Sequence, residues 1–164
     1  RACDLGHAQA CEKVRSLNLG AAQPEGAQTP EAACAQGEAS ACGFLGRQFE
    51  RGQGRPKNQA SAIKFFEKAC TLGHGVSCNA LGAKYATGQG VARDVGKAAH
   101  YAGKACEKGD YYACGNLGGM YLEGLNGPPN LQRARALFQK ACTGGITRAC
   151  RFLEQLPSGS KSQP

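Results

Sequence analysis

The sequence predicts an all-α fold, a solenoid of helical hairpins, and three observations carry that expectation. All ten cysteines fall into five pairs of one spacing, C-x7-C: Cys3/Cys11, Cys34/Cys42, Cys70/Cys78, Cys106/Cys114 and Cys142/Cys150. Aligned on the second cysteine of each pair, the chain repeats itself every 36 residues. Within each copy, apolar residues recur at helical spacing between glycine-rich breaks.

The three full copies show the unit. Residues 42–73 begin C-G-F-L-G-R-Q-F-E-R-G-Q-G and end F-F-E-K-A-C-T-L-G. Residues 78–109 run from C-N-A-L-G-A-K-Y-A-T-G-Q-G to Y-A-G-K-A-C-E-K-G, and 114–145 from C-G-N-L-G-G-M-Y-L-E-G-L-N to L-F-Q-K-A-C-T-G-G. Leu-Gly at 45–46, 81–82 and 117–118 is followed by Phe49, Tyr85 and Tyr121, then by glycine at 52, 88 and 124.

Taken in order, the elements follow from local chemistry. Residues 1–36 read as a degenerate repeat portion. Val14-Arg15 stands where Leu-Gly belongs, A-A-Q-P-E-G-A-Q-T-P (21–30) is loop-like, and a short helix of about two turns is expected around 30–36. The chain opens on R-A-C-D-L-G, in the middle of a motif, as expected of a segment of a longer protein whose signal peptide or further repeats would precede Arg1. Repeats are then expected at 37–73, 74–109 and 110–145. In the middle one, Leu81 and Tyr85 share a helical face, and Gly82 on that side admits a neighbouring helix at a propensity cost of about 1 kcal/mol relative to Ala. Gly88 and Gly90 end the first helix. Asp94, like Asn58 and Asn130 in the other copies, caps the second, whose stripe Ala98, Tyr101, Ala102, Ala105 faces the core until Gly109. One capping helix is expected at 146–157, with Phe152 and Leu153 covering the last hairpin and Pro157 stopping it, and a disordered tail is expected at 158–164.

The cysteine spacing has a geometric reading. In one continuous helix, residues eight apart lie about 12 Å apart along the axis, whereas a disulfide needs Cα atoms within about 7 Å. Glycines such as Gly73 and Gly75 break the helix, so each pair can staple the end of one hairpin to the start of the next. A loop this short is worth about 2.5 kcal/mol per bridge in the chain-entropy account. No C-x-x-C knuckle accompanies the pairs, so no zinc, haem or other metal or cofactor is expected. Ten pairable cysteines point to an oxidising compartment.

Composition narrows the partners. The net charge of +8 favours anionic partners by steering, but Lys and Arg are scattered, and no aromatic-interleaved basic stripe of a nucleic-acid module is present. No run approaches the roughly 18 apolar residues of a membrane span.

The pattern K-A-C-x2-G-x4-C-x2-L-G-x2-Y-x2-G-x-G-V-x2-D resembles Sel1-like repeats, relatives of tetratricopeptide repeats, and in particular the disulfide-containing type of the Helicobacter cysteine-rich proteins; residues 34–150 carry the match. The resemblance implies a right-handed α/α solenoid and a monomeric extracytoplasmic scaffold, periplasmic or secreted, that holds a protein or peptide segment on its concave face; disulfide-rich relatives also occur in the mitochondrial intermembrane space. Relatives often carry Asn two residues after the second cysteine, suited to a peptide backbone. Asn116 keeps that place, Phe44 and Ala80 replace it, and Asn79 sits one position away. The other outward candidates on first helices are Arg47, Gln48, Arg51, Lys84 and Met120, a basic rim suited to an acidic or C-terminal peptide.

The alternative implied by some relatives is a penicillin-binding or weak β-lactamase-like activity. Ser61-Ala62-Ile63-Lys64 and Ser158-Gly159-Ser160-Lys161 both match S-x-x-K, but neither is accompanied by S-D-N or K-T-G. His7, His74 and His100 have no ligand spacing, and His74 is expected to be a solvated turn residue. No catalytic residue is assigned.

Overall fold

The computed structural model describes residues 28–157, and all regular structure among them is helical. The elements are α1 (Pro30–Ala35), α2 (Ala39–Arg51), α3 (Gln59–Thr71), α4 (Gly75–Thr87), α5 (Val95–Glu107), α6 (Tyr111–Glu123), α7 (Leu131–Thr143) and α8 (Thr147–Gln155). Helices α2/α3, α4/α5 and α6/α7 pack as hairpins, and each second helix also packs on the first helix of the next unit, giving the expected solenoid. Cys3, Cys11, His7, the degenerate segment before residue 28 and the tail 158–164 lie outside the described residues.

Six helices, α2 to α7, are 13 residues long because the same signals bound each of them. First helices end on Gly52, Gly88 and Gly124 in the left-handed region, at φ 72°, 77° and 68°, where a side chain would be strained. Second helices start at Asn58, Asp94 and Asn130, whose side chains accept from the backbone N–H of Ser61, Lys97 and Arg133 at 3.0, 2.9 and 2.9 Å. The backbone N–H of each capping residue donates in turn to the carbonyl of Phe49, Tyr85 or Tyr121, pinning the connection to the repeat's aromatic position.

The stapled junctions share a second device. After each second helix a glycine, Gly37, Gly73, Gly109 or Gly145, adopts φ between 86° and 93°. Its N–H donates to the carbonyl of the first cysteine, Cys34, Cys70, Cys106 or Cys142. The N–H of the following residue reaches back to Ala33, Ala69, Ala105 or Ala141, completing a Schellman motif. That following residue, Glu38, His74, Asp110 or Ile146, is already the N-cap of the next helix. The chain is thereby reversed within a few residues, and the second cysteine lands beside the first. Cys34–Cys42 and Cys106–Cys114 bring Cα atoms to 4.7 Å, Cys70–Cys78 and Cys142–Cys150 to 4.8 Å. One detail differs from expectation: Gly73 alone breaks the helix, while Gly75 opens α4, where a Cβ would stand 3.0 Å from Cβ of Lys108.

The core runs as a ladder between the two helix layers. Leu45, Leu81 and Leu117 are buried in it: Leu45 clusters with Ala69, Cys34 and Cys42, Leu81 with Ala62, Ala98, Cys70 and Cys78, and Leu117 with Ala99 and Ala102. Phe66 and Phe138 are fully buried, each worth roughly 2–3 kcal/mol of transfer free energy. Both rings lie against a helical glycine: a Cβ on Gly46 would sit 2.6 Å from the Phe66 ring, and one on Gly118 3.1 Å from the Phe138 ring. Phe49 stacks on Phe65 and Tyr85 on Tyr101, each with ring centroids 5.5 Å apart. At the C-terminal end Phe152 of α8 stacks on Phe138 at 5.1 Å and covers the last hairpin.

Candidate functional site

The first helices α4, α6 and α8, together with α5, line a cavity of about 420 Å³. Its floor is made of small residues, Gly82, Ala98 and Ala102; its walls carry Met120, Ile146 and Phe152, with Tyr112 at the mouth, 68% exposed. Two amides, Asn79 of α4 and Asn116 of α6, face it, each able to donate and accept at once. Its charged groups are Glu123, the last residue of α6, and Arg148, near the start of α8, whose guanidinium lies 5.4 Å over the Phe152 ring.

The differences between repeats explain why the cavity opens here. One repeat earlier, the place of Ala102 is filled by Phe66, that of Met120 by Lys84 and that of Ala86 by Glu50. Lys84 Nζ pairs with a Glu50 carboxylate oxygen at 2.6 Å, donates to Gln59 Oε1 at 3.2 Å and lies 5.9 Å over the Phe66 ring. Ring and ion pair together plug the space that stands open one unit further on.

This placement corrects the expectation for Lys84. It does not point outward but is 3% exposed, its charge held between α2 and α4, because Glu50 and Gln59 meet it there. Of the remaining candidates, Asn116 and Met120 line the cavity. Arg47, Gln48, Arg51 and Phe44 sit on α2, outside it. Arg51 is exposed and Phe44 is 42% exposed; Arg47 and Gln48 are half-buried, and Gln48 Oε1 is buried without a hydrogen-bond partner. Tyr112 and Arg148 carry no expectation from the sequence, whereas Ala102 belongs to the expected core stripe and is indeed buried. The first two follow no repeat pattern, but the series Phe66, Ala102, Phe138 was open to inspection.

His74 is likewise corrected. As the N-cap of α4 it is half-buried, its Nδ1 2.7 Å from Oγ of the buried Ser77, and its ring packs over Gly43. Burial, and secondarily the charge of Arg47, lowers its pKa below the ordinary histidine value. His100 is exposed and meets Tyr101 edge-on. Ser61 occupies the first turn of α3 with Lys64 exposed one turn on, and neither lines the cavity. Among the described residues, no three His, Cys, Asp or Glu side chains gather as a metal site, and no helix is long and apolar enough to cross a membrane.

Comparison with known proteins agrees with this architecture. The family model described as Sel1 repeat matches residues 39–74, 75–110 and 112–146. A Sel1 repeat protein from Oxalobacter formigenes is 26% identical with a TM-score of 0.73, the match covering 77% of this chain and 95% of that one. The Escherichia coli protein c5321, a protective antigen present in uropathogenic strains, is 25% identical with a TM-score of 0.73 over 80% of this chain and 28% of its own length. Helicobacter pylori cysteine rich protein B is 30% identical with a TM-score of 0.60, covering 76% and 94%. No curated protein sequence matches the chain.

Proposed function

The chain belongs to the Sel1 repeat family, and we propose that it is a scaffold that binds a peptide segment of a partner protein in the cavity between α4, α6 and α8. Sel1 repeat proteins are generally protein-interaction scaffolds, and the solenoid offers the same use here. The observation that carries the reading is the pairing of two side-chain amides, Asn79 and Asn116, with an apolar floor. An extended peptide presents alternating N–H and C=O groups that an amide can satisfy together, while its side chains remove apolar surface from water. Arg148 and the net charge of +8 favour a segment that carries carboxylates, acidic residues or a free C-terminus. Four disulfides among the described residues support action outside the cytosol, in a bacterial periplasm or secreted, since thiols are kept reduced in most cytosols.

The test is selection from a displayed library of random peptides, followed by titration of the winners. Asn116→Ala and Arg148→Ala weaken binding at least tenfold, while Arg51→Ala on α2 leaves it unchanged. Binding lost on changing Arg47, Arg51 or Phe44, and kept on changing Asn116, moves the site to the α2 surface and overturns the reading.

A further inference from the structure

One position of the second helices reads Phe66, Ala102 and Phe138 in successive repeats. In the first and third, the ring lies on the glycine of the facing first helix, Gly46 or Gly118. The middle repeat keeps the glycine, Gly82, but has no ring to set on it. A Cβ on Gly82 would stand 3.3 Å from the carbonyl oxygen of Ala98, and a Cβ on Gly118 also 3.3 Å from the equivalent carbonyl oxygen of Ala134. At this contact the backbone approach is the same with and without the ring, and Gly82 and Ala102, which lack it, both line the cavity.

We propose that the ligand supplies the missing ring: a peptide segment that seats a Phe or Tyr side chain on Gly82 and Ala102, with a carboxylate of the same segment paired to Arg148. The inference rests on the reading of the cavity as a peptide site and names what that site selects. Met120, on the wall, presents a thioether to an aromatic ring, a favourable partner. Arg148 has no carboxylate partner among the described residues, and its guanidinium is already oriented by Phe152. A chain of net charge +8 complements an acidic segment. Ala102 is then the specificity-determining residue, because the flanking repeats, with Phe in its place, have filled the equivalent space from within.

Met120 is the only methionine of the chain, so a protein labelled with carbon-13 at the methionine methyl gives one signal from the wall of the site. Titration with N-acetyl-phenylalanine amide moves that signal upfield by the ring current, and N-acetyl-alanine amide does not. The Ala102→Phe protein does not respond, and its melting temperature rises by about 2–4 °C as the added ring is buried. Peptides selected from a random library carry an aromatic residue with an acidic neighbour, lose at least tenfold in affinity on Ala102→Phe, and weaken with added salt and with Arg148→Ala. Selected peptides that perturb Met120 without an aromatic preference, or that bind Ala102→Phe undiminished, overturn this inference and leave the peptide site standing. No selected peptide, with a Met120 signal unmoved by either amide, overturns both.

Discussion

Replacing Lys84 by Ala destabilises the fold by about 2–3 kcal/mol, although a lysine on a repeat helix would ordinarily be dispensable. The magnitude follows from the surroundings. The side chain is 3% exposed, with Nζ 5.9 Å over the Phe66 ring, so truncation removes three buried methylenes at about 0.8 kcal/mol each. Glu50, 2.6 Å from Nζ, is left without its cation, but it is 31% exposed and rehydrates, which limits that part to about 1 kcal/mol, well short of the 3–5 of a fully buried pair. The cost of desolvating the ammonium disappears with it and offsets some of the loss. Lys84→Met keeps the stem and costs about 1 kcal/mol, and adding Glu50→Ala recovers most of it, since Met120 and Ala86 occupy those places one repeat on. Urea unfolding at fixed pH reads each value from the midpoint at an unchanged slope. A Lys84→Ala protein within about 0.5 kcal/mol of the native one, or strictly additive effects at 84 and 50, refutes the buried plug.

Two other outcomes follow from the junctions. Changing Cys106 and Cys114 together to Ala lowers stability by about 2.5 kcal/mol, the entropy of one short loop, and alkylation with mass analysis of the native protein finds no free thiol in residues 28–157; thiols at several pairs contradict the ladder. For His74, the folded pKa lies below the unfolded value of about 6.5, so between the two the unfolded chain binds more protons and stability falls as the pH drops through that window. His74→Gln removes this component: unfolding midpoints compared at pH 7.5 and pH 5 change less in the variant, and an identical change in both proteins rejects the assignment.

How much of this was legible in the sequence depends on the reach of each interaction. The fold was written locally. A glycine at φ near 90°, a cap three residues from its donor and two cysteines eight apart all act within about ten residues, and the 36-residue period repeats each signal, so the hairpins and four staples follow without knowing where any helix lies in space. Asn116 and Met120 were legible for the same reason, as outward positions of a first helix.

The site was not written that way. Whether Lys84 points to water or is buried is decided by Glu50, 34 residues earlier, and Gln59, 25 residues earlier, which meet it only when α2, α3 and α4 are packed. Arg148 and Phe152 belong to α8 and join Asn79 and Ala102 only around the cavity. The sequence by itself determined the repeating unit, because backbone geometry and hydrogen bonding within each unit are short-ranged. Tertiary structure alone decided where the solenoid is open, because an empty space is a property of surfaces brought together, and one Phe replaced by Ala102 marks it only after its neighbours are in place.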